Sequence, residues 1–450
     1  MRAAEERYPG YPKTVPELME RAGGAVAEEA MRRFPDARVF EAVCGKGSNG
    51  GDGKVAVEAL RAAGRDARVV EGKEELRSDV VIDALFGTGF HGEPRAEAAS
   101  AIARINDSAA SVVSVDLPSG VDASTGEAAG AAVRADLTVT FHGSKVGLVV
   151  APGRFHAGEV VVRDIGLEGA ETEHRLVTPD VLAAVPRRRQ EDNKYSAGSV
   201  LVVGGSRGLT GAACLAVEAA FRADAGYVTV AVPASTLPVF EQRLLEAVKR
   251  PLPEDDEGRL VPEAAEPVLE YAQRAGAVAL GPGLGRSDGT KELVRRLLTE
   301  LGLPIVVDAD ALFELEPVER RAPIVLTPHA GELARLLGEE AEWVSAHRLE
   351  AVRRGAERFR AVCLLKGADT LVAAPGEGML VCALGTPALA TAGTGDVLTG
   401  IVGAFLAKGM DARLAAAAAA AAQQLAAAGA PNQAGLVAGD VVAELPRVFP

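Results

Sequence analysis

The segment Ala392-Gly393-Thr394-Gly395-Asp396 runs straight into an apolar stretch at 397–406. A glycine-rich turn opening a helix gathers backbone N–H groups at the positive end of the helix dipole, a ready seat for phosphate. Asp396, on the first turn, is placed to take a proton from a substrate hydroxyl while the amides hold a phosphoryl group. Alone, the segment also reads as a small-residue turn with an acid favouring the dipole. Five other segments of the second half shift that balance: VVGGSRGLTGAA at 202–213, GPGLG at 281–285, VDADAL at 307–312, LTPHAGEL at 326–333 and LKGADT at 365–370. Singly, His329 is a turn residue, Lys366 a strand-end lysine, and Asp308 and Asp310 strand terminators or helix caps. Together they supply glycine loops, an acid and a place for a metal, which suffice for phosphoryl transfer because that chemistry rests on positioning and electrostatics.

The first half carries a different set. CGKGSNGGDG at 44–53 follows an apolar run and precedes a helical pattern. Its glycines admit close backbone approach to a ligand and unusual φ values. The dinucleotide fingerprint is excluded, because the glycine spacing differs and Asn49 and Asp52 sit inside the loop. DALFGTG at 83–89 and DLPSGVD at 116–122 fall where a parallel sheet ends its strands. Ligands bind along that edge, so Asn49, Asp83, Asp116 and Ser119 converge there. Each carboxylate alone also reads as a helix cap. Converging, they offer hard oxygen ligands for an alkali or alkaline-earth cation, with one carboxylate left for proton transfer.

The elements that must hold these loops are short apolar runs alternating with helical stretches. Strands are expected at 37–42, 67–70, 80–84, 111–115 and 137–141, with helices at 54–63 and 97–106 and an amphipathic helix at 18–31 leading in. This alternation predicts a parallel sheet covered on both faces. Residues 169–198 are charged and proline-bearing and read as a junction; Arg187, Arg188 and Arg189 stand beside Glu191 and Asp192, a solvated face. A second series of strands is expected at 199–203, 227–232, 277–280, 304–308, 324–326, 362–366 and 371–374. The fold class is therefore α/β, in two different domains: 1–170, a junction at 171–189, and 190–450.

Composition agrees. At 450 residues the chain exceeds one ordinary core. Aromatic residues are only 4%, so Ala, Val and Leu must fill the interior. The net charge of −14 argues against nucleic acid and anionic membrane as partners. Cys44, Cys214, Cys363 and Cys382 are far apart and lack metal-ligand spacing, which predicts free thiols in a reducing, cytoplasmic setting. The N-terminal MRAAEERYPGYP has no apolar core of a secretion signal. The alanines at 415–422 predict a packed helix, since alanine forms helices well but is only weakly apolar.

With LMERAG upstream, the motifs CGKGSNGGDG, DALFGTG and VDLPSG resemble the N-terminal domain of the bifunctional NAD(P)H-hydrate repair enzymes. That domain is Rossmann-like and epimerises NADHX and NADPHX, the hydrated forms of the reduced nicotinamide cofactors. The resemblance covers about residues 1–170. It implies K⁺ held by Asn49, Asp83 and Ser119. It implies substrate contacts from Ser48, Asn49, Gly50, Gly51 and Asp52, from Gly87, Thr88, Gly89, Phe90, His91, Gly92 and Glu93, and from Asp116, the candidate acid/base. Ser48 stands where the family usually has a second Asn, so one side-chain amide contact is in doubt.

The motifs of the second half resemble the ribokinase-like fold and, within it, the ADP-dependent NAD(P)H-hydrate dehydratase domain, over about 190–447. By this resemblance Lys366, Gly367, Ala368, Asp369, Thr370 and Gly395 contact the adenine nucleotide. Ala212, Gly283, His329 and Asp396 line the hydrated nicotinamide site, and Mg²⁺ and ADP take part. Asp224 stands where the family commonly has Gly. The resemblance implies repair of both epimers, because the dehydratase takes only the S form and the epimerase makes the R form usable. It also implies a homo-oligomer. Two rivals stay open: a ribokinase-like small-molecule kinase fused to a binding domain, and a first domain acting as a non-catalytic scaffold.

Overall fold

Six short runs rich in valine form the sheet of the first unit: β1 (Val39–Cys44), β2 (Asp66–Val70), β3 (Val80–Ala84), β4 (Ser111–Val115), β5 (Leu137–Phe141) and β6 (Glu159–Arg163). The computed structural model describes residues 2–71, 75–169 and 172–449. The strand order is 2-1-3-4-5-6, and every neighbouring pair is parallel. β3 and β5 are buried on both faces, which is why they read as unbroken apolar runs. One face packs Phe40, Leu60, Ile82 and Val139 under the helices Val15–Arg33 and Ser48–Ala62; the other packs Val81, Ile102, Ile105 and Val112. The chain reverses its travel across the sheet between β1 and β3, so the loops after these strands flank a crevice.

The sequence places the start of the helix after β1 at 54; it begins at Ser48, inside the glycine run. None of Gly45, Gly50 and Gly53 has a positive φ. They are needed for closeness instead. A Cβ on Gly50 would stand 1.9 Å from the carbonyl oxygen of Gly45, and one on Gly53 2.5 Å from Cβ of Ala84. The helix can start against the strand end only because these positions carry no side chain.

The second unit holds ten strands: β7 (Arg175–Leu176), β8 (Ser199–Val203), β9 (Tyr227–Pro233), β10 (Val248–Leu252), β11 (Ala277–Leu280), β12 (Ile305–Val307), β13 (Ile324–Leu326), β14 (Val362–Leu365), β15 (Thr370–Ala373) and β16 (Leu380–Cys382). Their order is 10-9-8-11-12-13-14-15-16-7. From β10 to β14 neighbours are parallel, so their C-terminal ends share one edge. β15 runs antiparallel to both neighbours. The segment read as a junction is structured: β7 pairs with β16, and Leu182 of the 3₁₀ turn Pro179–Ala184 is buried in the core. β6, β7 and β10, which the pattern did not indicate, are sheet edges carrying charged residues, and β10 carries Pro251 where an edge tolerates it. β16, three residues long and likewise not indicated, lies inside the sheet.

The alanine run lies within the buried helix Ala412–Gly429. No helix among the described residues is long and apolar enough to cross a membrane. Asp224 explains its own oddity. Its φ is +68°, a conformation that favours glycine, and it is held by ion pairs to Arg188 Nε at 2.7 Å and Lys408 Nζ at 2.8 Å.

Candidate active sites

In the first unit Asn49, Asp83 and Ser119 meet at the peptide groups of Phe86. Asn49 Nδ2 donates to the Phe86 carbonyl (2.8 Å), the Phe86 amide donates to Ser119 Oγ (2.9 Å), and Ser119 Oγ donates to Asp83 Oδ1 (2.6 Å). Asp83 Oδ2 accepts from Ser114 Oγ and from the Ser119 amide, both at 2.8 Å. The Asp83 carboxyl is fully buried among neutral donors, and burial pushes its pKa up against the pull of those hydrogen bonds. An all-oxygen donor set around a buried carboxyl with only neutral donors fits a hard monovalent cation, which would supply the missing charge.

Asp116, the residue after β4, lies in the left-handed region, φ +66°, and is buried. Its Oδ1 receives Lys145 Nζ at 2.6 Å and Thr140 Oγ1 at 3.1 Å. Lys145 also donates to Thr140 Oγ1 and to the Phe141 carbonyl, both at 2.7 Å. Among the described residues no donor reaches Asp116 Oδ2. Half-buried Asp52 is the fifth residue of the Ser48–Ala62 helix; burial, then the charges of Asp116 and Glu5, push it up to about 8. The site thus pairs a carboxyl that keeps its proton at neutral pH with one bound to an ammonium. Of the remaining candidates, Ser48 is exposed, and Gly87 to Glu93 run along the loop after β3, where Phe86 and Phe90 stack at 4.8 Å. His91 is exposed and bound to Asp122 Oδ2 at 2.6 Å.

In the second unit the loops after β8, β11, β12, β13 and β14 gather on the shared edge. The helix Thr394–Ala407 starts from Gly393 at φ +89°, with Gly395 and Asp396 on its first turn. Lys366 Nζ binds Asp308 Oδ1 at 2.8 Å and lies 3.9 Å from Glu332 Oε2. Asp308 is buried, and its Oδ2 accepts Thr399 Oγ1 at 2.6 Å. Burial would lower the Lys366 pKa, but Asp308, Glu332 and Asp396 outweigh it and hold the ammonium above its ordinary value. Asp396 is pushed up to about 7 by burial and then by Asp308, with Lys366 opposing. That is the range a general base needs at neutral pH.

His329 caps the helix Ala330–Leu337: its Nδ1 accepts from the amides of Gly331 (3.1 Å) and Glu332 (3.4 Å), while Glu332 accepts from the His329 amide. An accepting Nδ1 leaves the proton on Nε2. Burial lowers the ring's pKa, against the pull of Glu332, so the neutral donor form prevails. The turn reading and the functional one therefore hold together. Ala212 is partly exposed on the first turn of the Thr210–Arg222 helix, whereas Ala213 is fully buried. Gly283 adopts φ +60° with Leu209 packed over it.

The side chains of Asp369 and Thr370 face inward. Asp369 is clamped by Arg348 Nε at 3.0 Å, and Thr370 Oγ1 accepts from Gln424. A nucleotide at 366–370 would meet backbone, at exposed Gly367 and Ala368 above all. Residues that the sequence reading did not assign to a site are Thr140, Lys145, Glu332 and Thr399, each recognisable only from its partner.

The two units define a class: a Rossmann-like parallel-sheet unit followed by a ribokinase-like α/β unit. A ribokinase-like superfamily protein from Enterococcus faecalis V583 shares the second fold (TM-score 0.54, 22% identity, covering 63% of this chain and 97% of that one). Residues 200–447 match the NAD(P)H-hydrate dehydratase family, and residues 15–78 and 70–147 match the YjeF-related protein N-terminus. A bifunctional NAD(P)H-hydrate repair enzyme of Moorella thermoacetica is 39% identical over 96% of this chain and 92% of its own length. The ADP/ATP-dependent NAD(P)H-hydrate dehydratase of Bacillus subtilis, crystallised with ATP and Mg²⁺, is 28% identical with a TM-score of 0.55, covering 60% of this chain and 96% of that one. The chain belongs to the bifunctional NAD(P)H-hydrate repair enzymes.

Proposed function

We propose that residues 1–170 epimerise R- and S-NAD(P)HX and that residues 190–450 dehydrate the S form with ADP, giving NAD(P)H, AMP and phosphate. The observation that carries the reading is Asp396, poised near neutrality on a glycine-opened helix beside the ion pair of half-buried Lys366 with buried Asp308. The hydrate bears a hydroxyl at C6 of the nicotinamide ring, and hydroxide leaves poorly. Asp396 takes the proton of that hydroxyl as its oxygen attacks the terminal phosphoryl group of ADP, and the bond to AMP breaks. The phosphate ester then departs from C6 with loss of the C5 proton, restoring the ring double bond. Helix-terminus amides at Gly395 hold the transferring charge. Mg²⁺, when bound with the nucleotide, would supply positive charge to offset that developing on the phosphoryl group. His329 offers its Nε2 proton to the substrate.

In the first unit Asp52 donates to the substrate as a neutral acid and Asp116 acts as the base. Asn49, Asp83 and Ser119 would hold K⁺, whose charge would help anchor the loop after β3. The free cysteines fit the reducing cytoplasm, where such cofactors are damaged. The test is absorbance at 340 nm after adding the protein to mixed NADHX epimers with Mg²⁺, K⁺ and ADP or ATP. Complete nucleotide-dependent recovery of NADH with release of phosphate is expected. A stable phosphorylated small molecule with no NADH would make the second unit a kinase instead. Asp116→Ala should end use of the R epimer beyond its spontaneous interconversion; unchanged use of both would refute the epimerase assignment.

A further inference from the structure

We propose that Lys145 is a positioning residue of the epimerase site, acting through Asp116. The inference rests on the reading of Asp116 as the base of that site. Asp116 stands on a strained residue: a non-glycine side chain at φ +66° needs its surroundings to hold it there. The surroundings are specific. Thr140 on β5 and Lys145 just beyond it both bind Oδ1, and Lys145 binds Thr140 in turn, closing a three-membered ring of contacts. The third donor position of the ammonium is spent on the Phe141 carbonyl. Lys145 is itself largely shielded, with a side chain only 10% exposed. It is anchored at three points and has no proton direction left for a ligand.

The consequence is asymmetric. Oδ1 is occupied by two donors, and Oδ2 is left as the oxygen that takes a proton. Rotation of the carboxylate about Cβ–Cγ would break both Oδ1 bonds, so the ring fixes which oxygen works and where it sits. The titratable group that faces Asp116 from the helix after β1 is Asp52. Without Lys145 two carboxyl groups would face each other with no cation between them.

The test is a double-mutant cycle on the full chain, read as R-NADHX consumption, with dehydration of the S epimer as internal control. Lys145→Met should lower epimerase kcat by about one hundredfold with little change in KM, the cost of a catalytic group held about an ångström out of place. In the Asp116→Asn background the same substitution should cost nothing further. Lys145→Gln, which keeps a donor to Oδ1 without the charge, should recover part of the loss. Native-like epimerisation by Lys145→Met overturns the proposal. So does a further loss in the Asp116→Asn background, which would mean that Lys145 acts elsewhere. If Lys145→Met fails to fold the first unit, the Lys145→Gln cycle decides by the same criteria. Full epimerase activity in Asp116→Asn would instead refute the assignment of Asp116 itself, a result distinct from active Lys145→Met beside inactive Asp116→Asn.

Discussion

Gly395 and Gly400 sit on one helix, five residues apart, and alanine should separate the two things glycine does there. A Cβ on Gly395 would meet only Lys366 Nζ at 3.4 Å and Asp308 Oδ2 at 3.9 Å, ordinary contacts with side-chain ends. Its φ is not positive, and it lies on the first turn of the helix Thr394–Ala407. Folding therefore gives no reason for glycine, and Gly395→Ala should leave stability unchanged or raise it by up to about 1 kcal/mol. That corresponds to a Tm higher by at most about 4 °C. A Cβ on Gly400 would stand 2.1 Å from the Ala216 carbonyl and 2.9 Å from Cβ of Ala219. Gly400→Ala must push two packed helices apart, at about 2 kcal/mol, or a Tm lower by about 4–8 °C.

Activity should follow the opposite order. If phosphate rests on the amides at Gly395, a methyl group there keeps it at a distance. Losing one well-placed donor costs about one hundredfold, or about 2.7 kcal/mol. Gly395→Ala should therefore raise KM for ADP or lower kcat for dehydration by about that factor, while Gly400→Ala, below its own Tm, keeps near-native constants. The assay is NADH recovery from S-NADHX over a range of ADP, beside thermal unfolding of each variant. Unchanged constants in Gly395→Ala would refute the phosphate reading. A large loss of stability in Gly395→Ala would refute the geometry behind it.

Four further outcomes are expected. Dehydration should rise with pH to half its plateau near 7, because Asp396 accepts a proton only when ionised; a limb near 4 would remove it as the base. Its raised pKa means that the folded protein holds a proton the unfolded chain has lost, so stability from this group falls as pH rises from the ordinary Asp value through about 7, and Asp396→Asn should raise Tm more at pH 8 than at pH 5. Epimerisation should decline above about pH 8 as Asp52 loses its proton, and Asp52→Asn should remove that limb. K⁺ should raise the thermal transition of the first unit relative to tetramethylammonium in the native chain but not in Asp83→Asn; equal shifts would place the cation elsewhere.

The buried parallel strands were legible because a strand covered on both faces is apolar throughout, as at residues 80–84 and 137–141. Three of the four edge strands were not, since charge and proline are what an edge tolerates: Glu159 and Arg163 on β6, Arg175 on β7, Pro251 on β10. The helix start at Ser48 was hidden for another reason. Glycine lowers helix propensity everywhere, and only the 1.9 Å that would separate a Cβ on Gly50 from the Gly45 carbonyl shows why glycines there belong to the start of a helix. Glycine loops and acids announced both sites. Their partners did not: Thr399 looks like a hydroxyl tolerated in an apolar helix, and Lys145 like a loop lysine, until each is seen bonded to a buried carboxylate.

The two sites use the same pair of residue types in opposite ways, and the difference lies in which carboxylate the ammonium touches. At β4 the lysine binds the acting acid itself, Lys145 to Asp116, and so fixes one of its oxygens. At the helix Thr394–Ala407 the ammonium of Lys366 is taken by a second acid, Asp308, which Thr399 also holds. Asp396 is left near that pair, without an ion pair of its own among the described residues, and burial, reinforced by the charge of Asp308, moves it to about 7. Asp308→Asn would therefore not act as the loss of a mere anchor. The amide oxygen can still accept from Lys366, and Thr399 Oγ1 can accept from the new Nδ2 while donating to the Gly395 carbonyl at 3.2 Å, but the charge that raises Asp396 is gone while the opposing ammonium remains. The dehydratase pH limb should move to lower pH, with the plateau rate falling as the base weakens. A limb that stays near 7 would mean that burial alone sets it, and that the Lys366–Asp308 pair serves the fold rather than the acid above it.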